Sequence, residues 1–176
     1  MFSDDVICFK IFWEYGEAVW WLFLTMKLST RSRYGVRLMI ALAAAGQDKS
    51  VFLKDIAASE DISEKYLSLI VIPLRAAGLI RSIRGARGGY VLARSANDIS
   101  VRDIVEAVEG ETSLVNCVKD PDICPRVSVC PSRNTWTQLS LAIREAMAGV
   151  TIAHLVAEQE GKKGITKPKA RPIKKE

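Results

Sequence analysis

Apolar residues recur at intervals of three and four along the middle of the chain, and this pattern predicts a mainly helical protein. The first segment of this kind covers residues 30–45 and has arginines along its flank. Its inward positions are four residues apart and comprise Tyr34, Leu38 and Leu42. This spacing places them on one face of an amphipathic helix.

A helix-turn-helix pattern follows after a polar break at residues 47–51. A short second helix is predicted over residues 53–59, and a third helix begins at residue 64 with Ser63 as its N-cap. The expected core positions are Leu53, Ile56, Ala57, Ile62, Leu67 and Ile70. Apolar residues in this arrangement around a tight turn are typical of helix-turn-helix motifs.

Asp61 and Pro73 bear on how the third helix begins and ends. Asp61 occupies the turn, where glycine is common, and aspartate adopts a left-handed backbone more readily than most residues. Proline inside a helix costs about 3 kcal/mol, so this helix is expected to kink or end near Ile72. A short turn over residues 74–77 would then lead to the C-cap Gly78.

Two short runs with β-strand character, residues 79–83 and 89–92, predict a hairpin. The segment between them contains Gly85 and Gly88, which permit a turn and bring the backbone close to a partner. A glycine-rich loop also binds nucleotide phosphates in some proteins. The sequence lacks the strand, loop and Lys-Ser/Thr arrangement of that site, so we interpret the hairpin as a wing.

Helices are also predicted on both sides of a loop that contains cysteines. Before the loop, Ser100 and Asp103 form a capping box that opens a helix over residues 101–109. After it, Ser132 begins a long helix, and a final helical segment covers residues 151–160. The long helix carries a large apolar stripe, made of Trp136, Leu139, Ile143, Met147 and Val150. A stripe of that size needs a partner surface, and a two-fold dimer would supply it.

Positive charge is clustered within the 176 residues, although the net charge is only +5. Arginines recur in the first helix, after the third helix, around the wing and beyond it: Arg31, Arg33, Arg37, Arg75, Arg81, Arg84, Arg87 and Arg94. This distribution favours a polyanionic partner. Residues 161–176 are rich in lysine and poor in large apolar groups, so they are expected to form a disordered basic tail.

Residues 1–25 differ in composition from the rest of the chain and hold three of its four tryptophans. Acidic residues interrupt the apolar run, so the segment fits neither a secretory signal nor a membrane span. An interfacial anchor and an additional packing element are alternatives. We favour the interpretation that Met26 is the true first residue, because a clear domain pattern begins at Lys27.

Cys117, Cys124 and Cys130 are separated by six and then five residues, and the last two are each followed by proline. Thiolates are the soft ligands of iron–sulfur clusters, and three on one short loop are able to converge on one point. A structural zinc site normally has four Cys or His ligands, but His154, the single histidine of the chain, lies far away in sequence and is expected to be structural. The pattern therefore favours an incompletely cysteinyl cluster, which suits a sensor. Zinc, a disulfide with one spare thiol, and buried apolar cysteines are the alternatives.

Several segments in one order resemble the Rrf2 family of bacterial regulators. They are the KLSTRSRYG run at residues 27–35, ISEKYL at 62–67, AGLI at 77–80, the wing RGARGGY at 84–90, and the three cysteines. The likeness covers roughly residues 26–159. It implies a mainly α fold with a small β-wing, in which a winged helix-turn-helix DNA-binding domain is joined to a long C-terminal dimerisation helix.

The resemblance also implies roles for individual residues. The three cysteines would hold a two-iron or four-iron cluster, and residues 63–69 would face the DNA groove. The DNA-binding residues expected from this model are Arg31, Arg33, Ser63, Lys65, Tyr66, Ser68, Arg84 and Arg87. Lys65, Tyr66 and Ser68 would meet base edges in the major groove, the wing arginines would meet the minor groove, and the first-helix arginines would hold phosphates.

Three positions depart from the family pattern. Arg133 stands where some members have a ligand histidine, and Arg33 stands where others have an aspartate. The fourth ligand is therefore unassigned among Asn116, Asp120, Asp122, a group from the partner subunit, a small thiol and water. Ser68 replaces an acidic residue that is common in the recognition helix, so the operator sequence of other members does not transfer.

We therefore expect a cytoplasmic, homodimeric transcriptional regulator that binds double-stranded promoter DNA. An iron–sulfur cluster that senses iron, redox or nitrosative state would tune this binding, with no membrane and no small-molecule substrate as partner. Its organisation would be a doubtful extension at 1–25, a DNA-binding domain at 26–110, a cysteine loop at 111–131, dimerisation and terminal helices at 132–160, and the tail at 161–176. No catalytic constellation is present in the sequence, so an enzyme is not expected. A winged-helix protein-interaction module and an iron–sulfur electron-carrier subunit are the alternative functions.

Overall fold

The computed structural model describes residues 28–46, 49–85 and 88–162. The predictions for residues 1–25, for Cys8, for Arg87 and for most of the basic tail lie outside these residues. Within them the architecture is mainly helical with one small antiparallel sheet, as the sequence predicts.

The three helices of the helix-turn-helix region are α1 (Thr30–Ala44), α2 (Leu53–Glu60) and α3 (Glu64–Ala76). The turn between α2 and α3 is made by Asp61, which adopts the predicted left-handed backbone with φ of 53°. Ser63 occupies the N-cap position of α3, but its side chain makes no capping hydrogen bond.

The sequence predicted that the third helix would kink or end near Ile72; the predicted end is wrong, because α3 continues through Pro73 to Ala76. Leu67, Ile70 and Leu74 are each fully buried, and they share one face only if the helix continues past the proline. Their burial outweighs the helix hydrogen bond that Pro73 cannot donate. The helix then ends in a Schellman arrangement, in which the Leu79 N–H donates to the Leu74 carbonyl at 3.0 Å and Gly78 has φ of +67°.

The predicted wing is confirmed as the antiparallel strands β1 (Ile80–Ile83) and β2 (Gly89–Leu92). A third segment, which was not predicted, joins the wing: Val51 pairs with Tyr90 through two backbone hydrogen bonds of 3.0 and 2.9 Å. This contact brings the Val51 carbonyl against Gly89, where a Cβ would lie 2.5 Å from the Val51 oxygen. Glycine is therefore required for the close approach of the two backbones.

The remaining helices are α4 (Val101–Glu109), α5 (Asn116–Lys119), α6 (Arg133–Ala148) and α7 (Ile152–Lys162). Short 3-10 turns cover Ala96–Asp98 and Pro121–Ile123. The capping box at the start of α4 is present with both of its predicted hydrogen bonds. Helix α7 includes residues 161 and 162, which the sequence analysis assigned to the tail.

One core joins α1, α2, α3, α4, the wing and the start of α7. Its fully buried side chains include Leu38, Met39, Leu42, Ile56, Leu67, Ile70, Leu74, Leu79, Ile99, Ile104 and Ile152. Helix α6 lies outside this core: its buried residue is Ser140, whereas Trp136, Leu139 and Ile143 of the apolar stripe are exposed. Of the helices in the described residues, none has the length and apolar character needed to cross a bilayer.

Candidate functional site

The first turns of α1 and α3 lie side by side and form an open groove of about 580 Å³. Its lining combines aromatic, polar and charged side chains: Thr30, Tyr34, Asp61, Ile62, Ser63, Lys65, Tyr66 and Leu69. The rings of Tyr34 and Tyr66 meet edge to face, with their centroids 5.7 Å apart. This contact fixes the separation of the two helix starts.

The structure brings most of the predicted DNA-binding residues to this region. Arg31 and Arg33 are exposed on the first turn of α1, while Ser63, Lys65 and Ser68 are exposed along α3. The Ser68 hydroxyl donates to the Lys65 carbonyl at 2.7 Å, which orients it along the helix. Tyr66 is half-buried against Tyr34, so its phenol ring is a support for the groove as well as a contact surface.

Arg37 holds α1 against the helix-turn-helix, a role that the sequence analysis did not assign. Its Nε lies 2.8 Å from the Glu60 carboxylate, and its Nη2 donates to the Glu60 carbonyl. The guanidinium also lies over the Tyr34 ring, 5.6 Å from the centroid. Arg37 therefore satisfies the carbonyl end of α2 and leaves less charge for a phosphate than Arg31 or Arg33.

On the wing, Arg84 is exposed directly after β1. The Gly88 N–H donates to the Gly85 carbonyl at 2.9 Å, which closes the tip. The wing arginine is thus presented at a tight turn whose base is fixed to Val51.

The cysteine loop contains three free, partly exposed thiols. Cys117 lies in α5, Cys124 follows the 3-10 turn, and Cys130 precedes α6. Across residues 28–46, 49–85 and 88–162, no group of three or more Cys, His, Asp or Glu side chains is arranged to hold a metal. The structure thus does not bring the three predicted ligands together, although three free thiols are a donor set that suits iron–sulfur chemistry.

Cys130 has a distinct environment. Its sulfur lies 3.3 Å from the Ser132 hydroxyl. Hydrogen bonding by Ser132 lowers the pKa of the Cys130 thiol below its ordinary value, with a smaller contribution from the positive charge of Arg126. This favours the thiolate, which is the form that ligates metals.

The start of the loop is tied to α1 through Glu109. The Glu109 carboxylate accepts hydrogen bonds from the hydroxyls of Ser29, at 2.6 Å, and Ser32. Burial raises the pKa of Glu109, but the hydrogen bonds from the two serines outweigh it and hold this pKa below its usual value. Because Ser29 also caps α1, the end of α4 and the start of α1 are joined as one unit.

Two further contacts tie the loop to α6. The Leu114 N–H donates to the Ser140 hydroxyl at 3.1 Å, and Ser140 is 4% exposed. Arg144 lies 3.2 Å from the Glu106 carboxylate and 2.6 Å from that of Glu111. The base of the cysteine loop thus contacts both the helix that borders the groove and the helix that carries the apolar stripe.

Sequence patterns did not reveal these anchors, because each joins residues more than 25 positions apart. A weak signal existed for Glu109, a carboxylate placed just before a helix-ending glycine. His154 is exposed on α7 and its Nε2 lies 3.0 Å from the Glu158 carboxylate, so the structure places it on the surface in contact with a residue of its own helix.

Comparison with known proteins identifies the family to which the chain is similar. The sequence model of the Rrf2 family, described as iron-dependent transcriptional regulator, matches residues 28–158. The chain is 42% identical over 133 residues to the protein rrf2 of Nitratidesulfovibrio vulgaris, covering 76% of this chain and 89% of that protein. It is 38% identical over 136 residues to the HTH-type transcriptional regulator CymR of Bacillus subtilis, covering 77% and 94%.

Solved structures give the same result. CymR of B. subtilis, described as its global cysteine regulator, superposes with a TM-score of 0.63 at 37% identity, covering 76% of this chain and 98% of that one. IscR of T. potens superposes with a TM-score of 0.63 at 31% identity, covering 82% and 95%. These neighbours confirm the predicted winged-helix fold.

Proposed function

Because the chain belongs to the Rrf2 family of transcriptional regulators, we propose that it binds promoter DNA in the cytoplasm as a homodimer and that an iron–sulfur cluster on Cys117, Cys124 and Cys130 modulates this binding. It is a regulator rather than an enzyme, as its relatives are. The observation that carries the proposal is the exposed start of α3, which presents Lys65, beside the exposed arginines of α1.

DNA binding is supported by the geometry of α3. Its buried face packs on the core, while Lys65 and Ser68 face outward near the helix start, where helix-turn-helix proteins contact base edges. Arg31, Arg33 and Arg84 are exposed and carry no salt bridge within the described residues. They are therefore available for phosphates or, at the wing, for the minor groove.

Dimerisation is supported by α6. Trp136, Leu139 and Ile143 are 38%, 44% and 37% exposed and lie on one side of the helix. Large apolar side chains grouped on one exposed side of a helix are typical of a surface that a partner covers. A second copy of α6 across a two-fold axis presents a matching stripe, and two recognition helices then face one DNA duplex.

The cofactor proposal is supported by the donor set and by the description of the family as iron-dependent. Cys117, Cys124 and Cys130 would hold the cluster, which supplies a redox-sensitive and iron-sensitive group. The fourth ligand stays unassigned among Asn116, Asp120, Asp122, a partner group and a small molecule.

The loop contacts suggest how a change at the cysteines would reach DNA. A rearrangement of residues 112–131 acts on Leu114 and Glu111, which are held by Ser140 and Arg144 of α6. It also acts on Glu109, which is held by Ser29 and Ser32 of α1. Ordering or releasing the loop would therefore shift the dimer helix relative to the first-helix arginines and change the spacing of the two recognition helices.

Anaerobic purification with iron and sulfide analysis tests the cofactor. Serine replacements of Cys117, Cys124 and Cys130 should abolish visible charge-transfer absorbance and alter DNA affinity, whereas Cys8→Ser should do neither. A triple variant that still binds iron and sulfide, or a wild-type chain that binds zinc alone, would refute the sensor. DNA binding would survive that result.

A second candidate is a metal-free regulator that responds to cysteine metabolism, favoured by the 38% identity to CymR. The same preparations separate the two. A chain without iron and sulfide whose DNA affinity changes only when a cysteine-related effector is added would favour the second candidate. The other functions considered from the sequence, a protein-interaction module and an electron carrier, gain no support from relatives that are transcriptional regulators.

A further inference from the structure

The outward side of α3 is apolar at its centre. Leu69 and Ile72 are 53% and 57% exposed, more than any residue of the α6 stripe. With about 100° between successive residues, Lys65, Leu69, Ile72 and Ala76 fall within about 60° of one another, opposite the buried side of the helix.

A solvated helix face would carry polar groups at these positions. Single exposed leucines are ordinary in proteins. Leu69 and Ile72, however, are three residues apart on the outward side of one 13-residue helix, so their side chains form a continuous apolar surface. The polar members of the same face are Lys65 and Ser68, and the Ser68 hydroxyl is already donated to the Lys65 carbonyl. The centre of this face therefore offers methyl groups rather than hydrogen bonds.

Charge decides which partner fits the surface. The exposed cations on α3 and on the neighbouring first turn of α1 are Arg31, Arg33, Lys65 and Arg75, against the exposed acids Asp61 and Glu64. Two such basic surfaces from two copies of the chain would repel each other, whereas a duplex is attracted to them. In the major groove, the apolar group at a base edge is the C5-methyl of thymine.

We propose that Leu69 and Ile72 contact thymine methyl groups, so that the operator carries A·T pairs opposite the centre of α3; this rests on the proposed DNA-binding function. Lys65, one turn before Leu69, contacts the adjoining base or phosphate and sets the register. The sequence preference of this chain would then depend on methyl contacts as well as on hydrogen bonds.

The test begins with selection of duplexes by the full chain from a random library. Each thymine of the selected duplex is then replaced by uracil, which pairs identically but lacks the methyl group. Affinity measured by fluorescence anisotropy should fall about fourfold at one or two positions in each half-site, the effect expected for one buried methyl group.

Variants assign those positions to side chains. Leu69→Ala and Ile72→Ala should each weaken binding to a thymine duplex but have little further effect on the duplex with uracil at the matching position. Leu69→Met should retain the thymine preference, because methionine keeps an apolar contact. Ala76→Ser is the control, because Ala76 lies at the far end of the same face and is not among the DNA-binding residues; it should leave every thymine-to-uracil ratio unchanged.

Each failure has a separate meaning. A library that yields no preferred duplex would refute the proposed DNA-binding function. A preferred duplex with no uracil effect, or equal losses for Leu69→Ala on thymine and uracil duplexes, would overturn the methyl contacts alone. A change in oligomeric state caused by Leu69→Ala without DNA, measured by sedimentation, would assign the surface to a second copy of the chain and also overturn them.

Discussion

Replacing Ser140 with alanine should release the base of the cysteine loop from α6. The Ser140 hydroxyl accepts a hydrogen bond from the Leu114 N–H at 3.1 Å and donates one to the Trp136 carbonyl at 2.8 Å. The bond to the Trp136 carbonyl lies within α6, whereas the bond from the Leu114 N–H connects the cysteine loop to α6. The variant therefore removes one long-range anchor and leaves the shape of the site nearly unchanged.

The expected cost follows from the burial of the two partners. Ser140 is 4% exposed, while Leu114 is half-buried. A buried donor left without a partner costs about 1–3 kcal/mol. Water reaches a half-buried amide in part, so we expect the lower end, about 1–1.5 kcal/mol, which corresponds to a roughly tenfold increase in local opening.

Hydrogen exchange at the Leu114 amide measures this opening directly. Thr137→Ala is the matched control, because the Thr137 hydroxyl also donates to the carbonyl four residues earlier, that of Arg133, at 3.0 Å. Such local bonds add little to helix stability. The control should leave Leu114 exchange unchanged, while Ser140→Ala should accelerate it about tenfold.

Two results would refute this reasoning. If Leu114 exchanges at the wild-type rate in Ser140→Ala, the hydroxyl does not anchor the loop. If Thr137→Ala accelerates Leu114 exchange as much as Ser140→Ala does, the faster exchange results from a general destabilisation of α6 and not from loss of the Ser140 contact. Under the proposed function, Ser140→Ala should also change the affinity for a selected duplex, since the loop would no longer act on α6.

Gly89→Ala should destabilise the chain by about 2–4 kcal/mol in urea unfolding, because the new Cβ meets the Val51 carbonyl and alanine disfavours the positive φ at this position. Gly85→Ala also has a positive φ but open space around it, so it should cost at least about 1 kcal/mol less; equal losses would contradict the close-approach argument. Arg84→Ala should fold normally and reduce the salt dependence of DNA binding by about one counterion; an unchanged slope would exclude a phosphate contact by the wing. The folded-state pKa of Glu109 is depressed, so ionised Glu109 stabilises the fold above the ordinary carboxyl pKa, and this stabilisation is lost as pH falls through the folded-state pKa. Glu109→Gln should therefore make the free energy of unfolding less dependent on pH on the acid side. A variant as acid-sensitive as the wild type would show that other carboxylates cause the loss of stability in acid.

The helices and their caps were predictable because their signals are local. Apolar spacing located α1, α2 and the start of α3, and the capping box at Ser100 located α4. The turn at Asp61 was predictable for the same reason, since few residues other than glycine tolerate a left-handed backbone. Each of these decisions depends on residues within about one helical turn of each other.

The length of α3 and the contacts between distant segments could not be predicted from local sequence, because they depend on tertiary packing. Helix α3 continues through Pro73 because Leu74 is buried in the core, although the local preference is to stop. The Val51–Tyr90 pairing and the Glu109 and Ser140 anchors join residues that are distant in sequence.

The functional surfaces divide in the same way. The sequence alone identified the cysteines as candidate ligands, since residue type and spacing carry that information, and the family resemblance implied that Lys65 contacts DNA. Periodicity also showed that α3 would have one apolar face, but Leu69 and Ile72 fall outside it, and only the fold showed that they remain uncovered. Exposure is a property of the assembled chain, because it depends on which other elements pack against each side of a helix.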